Sequence, residues 1–132
     1  MNLFDMDDKD KHQEWYFQSD YDLETALDML KSGREVYCIF MCHLSIEKAL
    51  KGLLIKQTGE FPSKSHSLVF FANKLDLELN ESFSEFIYML DKISVPTRYP
   101  DDLKKLFVAY TPERTKSILK QTKDLQLWIK KQ

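Results

Sequence analysis

Glycine is scarce in this chain of 132 residues, with three in all, and proline occurs four times. Three isolated glycines cannot build a phosphate-cradling loop, which excludes the glycine-rich nucleotide motifs. Cysteine is also rare: Cys38 and Cys42 are the pair present. They lie four apart within an apolar stretch, a spacing that suits reduced, packed thiols of a cytoplasmic protein better than a disulfide framework. No uninterrupted apolar run approaches a membrane span. The start, MNLFDMDDKDKHQEW, has no apolar core of the secretory kind. A tetrahedral metal site has no second Cys/His cluster to complete it, and Cys42 and His43 are adjacent, about 100° apart on a helix. No metal or cofactor is therefore expected.

Charge is abundant and unevenly placed. Residues 1–31 carry nine acids against three bases, a balance of −6; residues 101–132 carry eight bases against four acids, a balance of +4. Two readings stay open: neighbouring helices whose solvated faces attract, or a basic last helix that meets phosphate or an acidic partner. The sequence pI near 5.9 argues against a general nucleic-acid coat protein.

The periodicity is helical throughout. A first helix is predicted over about 12–31, with Tyr16, Leu23, Ala26, Leu27 and Leu30 as its apolar stripe and Ser32-Gly33 as its stop. The second, about 35–57, reads EVYCIFMCHLSIEKALKGLLIK and is apolar on nearly all faces, so it is expected at the centre. Gly59 and Pro62 mark its exit. Ser65 is the expected cap of a short third helix carrying Leu68, Phe71, Ala72 and Leu75; Asn80 caps a fourth with Phe83, Phe86, Ile87 and Leu90. Pro96 stops that helix. Thr111, Pro112 and Glu113 open the last one, whose inward positions are Ile118, Thr122, Leu125 and Ile129 with Trp128 alongside. The expected fold is all-α, an antiparallel up-and-down four-helix bundle with an additional short helix. It forms a single domain over 1–132, with 1–11 as a loosely ordered acidic N-terminus.

Two stretches carry polar chemistry. In EKALK, His43, Glu47 and Lys51 fall at i, i+4, i+8 and share a face, with Lys48 beside it. They form either a solvated seam or a buried one that needs partners, and an arginine from another helix would suit Glu47. In SVPTRYPDDL, Arg98 and Tyr99 sit between Pro96 and Pro100, with Asp101 following. This reads as a turn, whose arginine and tyrosine either satisfy helix ends or contact a phosphate and a base.

The segment CHLSIEKALKGLLIKQTGEFPSKSHSL, then TRYPDD, then a helix opened by Thr-Pro, resembles the HEPN domain (higher eukaryotes and prokaryotes nucleotide-binding) over roughly residues 12–130. The resemblance implies a bundle of four or five helices, a homodimer, and in prokaryotes a minimal nucleotidyltransferase as partner. The chain would then be a nucleotide- or substrate-binding subunit of a toxin–antitoxin-like pair. Glu47, Lys48, Lys51, His66, Arg98, Tyr99 and Asp101 match the family's recurring polar positions and are the expected nucleotide- or substrate-binding residues. Arg98 and Lys51 would sit on phosphate, Tyr99 would stack or position, and Glu47 and Asp101 would hold the basic side chains. Many HEPN proteins cleave RNA with an arginine followed, after four to six residues, by a histidine. Here those positions hold Leu103, Lys104 and Lys105. An atypical ribonuclease using Arg98 with His66 or Tyr99 is the alternative, and a dimeric interaction scaffold the second.

Overall fold

The computed structural model describes residues 10–94 and 100–132, with the side chains of 100–102 excepted. Arg98, Tyr99, the Pro96 stop, the side chain of Asp101 and most of the acidic N-terminus lie outside the described residues. Among the described residues six helices follow in order: α1 (His12–Lys31), α2 (Glu35–Thr58), α3 (Leu68–Lys74), α4 (Glu81–Ser94), α5 (Pro100–Ala109) and α6 (Pro112–Lys130). The four longest make the bundle.

Their ends are set by local chemistry. Gly33, at φ +77°, closes α1: its amide donates to the Leu30 carbonyl, while that of Arg34 donates to Met29 at 2.7 Å. Gly59, at φ +73°, does the same for α2, donating to Ile55. Both are left-handed stops that glycine adopts without steric cost. Asn80 Oδ1 accepts from the Phe83 amide at 2.7 Å, and Thr111 Oγ1 from the Arg114 amide at 3.3 Å. The cap of α3 is Ser67, not Ser65: Ser67 Oγ accepts from the Phe70 amide, whereas Ser65 Oγ accepts from the amide of Ser67. The start shifts by two residues because the Asp91 carboxylate reaches in from α4 and takes the Leu68 and Val69 amides.

α2 is central, packing against each of the other five helices. Its Ile39, Ile46, Leu50 and Leu53, with Leu68, Phe71, Leu90, Leu125 and Ile129 from its neighbours, form the fully buried core. Cys38 and Cys42 are buried free thiols within it. The hydrogen bond shared with Cys42, together with burial, pushes the Cys38 thiol well above its ordinary range, which keeps it protonated and inert.

Two further expectations change. The buried positions of α1 are Ser19, Asp22 and Ala26, while Leu27 is exposed. The inward face is rotated because it is polar and satisfied. Ser19 Oγ donates to the Ser45 carbonyl at 2.7 Å, Ser45 Oγ donates back to the Ser19 carbonyl at 2.9 Å, and Gln126 Nε2 reaches Ser19 Oγ at 3.0 Å. Small residues also let these helices approach closely. A Cβ on Gly52 would lie 2.7 Å from the Tyr16 ring. The second change is α5, which begins at Pro100 where a turn was expected. Proline at a first helical position followed by two aspartates is a favourable start, and Leu106 and the following Tyr110 attach the helix to the core.

α1 and α6 are neighbours, so the acidic and basic ends of the chain do meet. Lys130 Nζ and Gln126 Nε2 both reach Asp20 Oδ1, at 2.8 and 2.7 Å. Among the described residues no helix is long and apolar enough to cross a membrane.

Candidate functional site

The polar face of α2 is buried. His43 and Glu47 are each 4% exposed and Lys51 is 6%. A seam in that environment must be internally satisfied, and this one is. Lys51 Nζ donates to Glu47 Oε2 at 3.1 Å. The same ammonium lies 5.4 Å from the Phe71 ring centre and 5.9 Å from that of Trp15. Two aromatic rings and one carboxylate therefore enclose the charge. Gly52, the next residue along, is what lets α1 bring Trp15 and Tyr16 this close.

Glu47 has a second partner. His66, in the loop before α3, places Nδ1 3.2 Å from Glu47 Oε1 and 3.3 Å from Oε2. Its side chain is 64% exposed, so the imidazole forms the outer end of a network whose root is buried. Deeper in, His43 Nδ1 stands 4.0 Å from Glu47, and its Nε2 is hydrogen-bonded to Asp91 Oδ1 at 3.0 Å. Asp91 also accepts from the Leu68 amide at 2.9 Å, the Val69 amide at 3.1 Å and the Ser67 hydroxyl at 3.2 Å. Partial burial pushes its carboxyl up, but the bonds from His43, Leu68 and Val69 prevail and hold it below the usual carboxylate range.

Of the residues singled out in the sequence, Glu47, Lys51 and His66 come together. Lys48 does not join them: it turns to the α1 side, with Nζ 2.7 Å from the buried Asp22 carboxylate. Asp91, which ties α4 to α2 and α3, escaped the sequence reading. A signal existed, since an acid in the last turn of a helix opposes the helix dipole and needs a compensating partner. Among the described residues no three His, Cys, Asp or Glu side chains converge as a metal site would require.

The arrangement is thus a buried Glu–Lys pair that fixes an exposed histidine, braced by a His–Asp pair at the last turn of α4. Comparison with known proteins agrees with this bundle. The HEPN domain matches residues 12–132. The chain belongs to the HEPN family. This HEPN chain is also similar in fold to the crystal structure of TT1696 from Thermus thermophilus, at a TM-score of 0.80 and 24% identity. That match covers 96% of this chain and 98% of the other. No curated protein matches this chain significantly.

Proposed function

We propose that this HEPN protein is a nucleotide- or substrate-binding subunit, homodimeric, acting with a minimal nucleotidyltransferase in a toxin–antitoxin-like pair. The observation that carries the reading is the exposed His66, held at Nδ1 by the buried Glu47–Lys51 pair. It is an imidazole presented to solvent in a fixed orientation. The chain leaves α4 just beyond Asp91 and runs into Arg98 and Tyr99. Lys51 is enclosed and already paired with Glu47, so its role is to hold Glu47 and through it His66. The phosphate charge is then met by Arg98, which can engage two oxygens at once, with Tyr99 stacking on the base and Asp101 steadying the arginine. Phe17 and Tyr21, exposed one turn apart on α1, are the surface for a second copy.

Calorimetric titration with AMP and ATP tests this. Arg98→Ala weakens binding at least about tenfold, a loss of about 1.4 kcal/mol, while the thermal transition stays within a few degrees. Collapse of the fold in that variant would make Arg98 structural and refute the assignment.

One observation favours a second reading, a ribonuclease toxin. A carboxylate on Nδ1 that leaves the other edge of the ring open is how an imidazole is oriented for proton transfer. The Arg-x(4–6)-His spacing is missing, so Arg98 and His66 would have to act from separate segments. Incubation of the purified protein with total RNA and a chelator separates the two. Cleavage that is lost in both Arg98→Ala and His66→Ala supports the nuclease, and intact RNA removes it for the substrates tried.

A further inference from the structure

On the side of the bundle formed by α1 and α6, a groove of about 580 Å³ lies open. Its floor is aliphatic: Leu23 and Leu27 from α1 face Leu119 and Leu127 from α6. Leu27 is 41% exposed and Leu127 42%, so apolar surface is left uncovered. The rim is cationic. Four lysines line it against two acids, Asp20 and Glu24, and Lys130 is the one held by Asp20. Lys116, Lys120 and Lys123 make no ion pair among the described residues. They follow α6 at i, i+4 and i+7, which sets them along one edge of the groove.

We propose that this groove docks a short acidic amphipathic helix from a partner protein. A groove between two helices accepts a third, whose residues at i, i+3, i+4 and i+7 seat on the leucines. Carboxylates on the flanks of that helix meet the three unpaired lysines, and this complementarity selects the occupant and speeds its encounter. A second copy of the chain fits poorly, because joined groove to groove it offers two acids against four lysines, and one of those acids, Asp20, already holds Lys130. RNA fits poorly as well, since the floor has neither aromatic rings nor arginine on which bases could stack. The proposal is independent of the nucleotide reading, as His66 and Glu47 line no part of this groove.

The probe is a fluorescein-labelled peptide of about four helical turns, with leucine on one face and glutamate on the flanks, read by fluorescence anisotropy against the full chain. Two controls are a scrambled peptide and one with lysine for each glutamate. The docking peptide binds at least about tenfold more tightly than either control, and added salt weakens it. The double variant Leu27→Glu/Leu127→Glu, at two exposed positions, loses the binding but keeps the wild-type melting temperature. Lys120→Glu/Lys123→Glu transfers the preference to the lysine peptide. Four results would overturn the proposal: equal binding of the scrambled peptide, undiminished binding by the leucine double variant, a change of that variant's mass in solution, or displacement of the peptide by single-stranded RNA.

Discussion

Removing Asp91 probes the brace behind the candidate site. Asp91→Ala deletes four contacts together: His43 Nε2 at 3.0 Å, the Leu68 amide at 2.9 Å, the Val69 amide at 3.1 Å and the Ser67 hydroxyl at 3.2 Å. Loss of a helix cap costs about 1 kcal/mol. His43 is then left buried with Nε2 unpaired, which adds about 1–3 kcal/mol. The total is about 2–4 kcal/mol; at roughly 4 °C per kcal/mol for a domain of this size, the variant melts about 8–16 °C below wild type at neutral pH. Asp91→Asn keeps one acceptor oxygen and falls between the two. The pH dependence has a definite sign. The folded carboxyl lies below its ordinary value, so its stabilisation is complete above an unfolded pKa of about 3.9 and is lost as pH falls through the folded value. The gap between wild type and Asp91→Ala, followed by circular dichroism melts, therefore narrows on acidification below about pH 4. A neutral-pH gap under about 3 °C, or one that stays constant into acid, would refute the reasoning.

Three further outcomes follow from named contacts. Gly52→Ala drives a methyl group to 2.7 Å from the Tyr16 ring; the overpacking costs about 1–3 kcal/mol, partly offset by helix propensity, and a stabilised variant in urea titration would contradict it. Tyr16 Oη is buried with no hydrogen-bond partner among the described residues, and burial raises its pKa to about 12. Tyr16→Phe is then neutral or stabilising at pH 7. It also removes the part of the stability loss that wild type shows as pH rises from the unfolded tyrosine value of about 10 through the folded one, checked by alkaline melts. Lys48→Ala strands the buried Asp22 carboxylate and costs about 2 kcal/mol, below the range for a fully buried pair because Lys48 is partly exposed, while leaving nucleotide affinity unchanged.

What the sequence discloses here is what depends on neighbours along the chain. Thr111, Asn80, Gly33 and Gly59 act within a turn of their own positions, and the Glu47–Lys51 pair is an i, i+4 contact, so each could be read directly. Ser67 replaces Ser65 as a cap for a non-local reason, the arrival of Asp91 from another helix. The rotation of α1 has the same origin. Leucines at 23, 27 and 30 promise a stripe, but Ser19 and Asp22 find partners on α2 and α6 that repay their burial. Helix α5 went unread because Phe107 and Val108 face outward, blurring its apolar period. The meeting of His66 with Glu47, and of His43 with Asp91, likewise depends on how three helices are packed.

The most direct test of the central claim follows the His66 imidazole itself. In a histidine-resolved NMR titration with AMP, the account predicts that the His66 ring resonances move saturably and that the deeper His43 resonances move much less. Arg98→Ala abolishes the movement while its free spectrum matches that of wild type. A His66 signal unmoved by saturating nucleotide, or one that moves equally in the Arg98→Ala variant, would contradict the claim that His66 and Arg98 form one nucleotide-binding site.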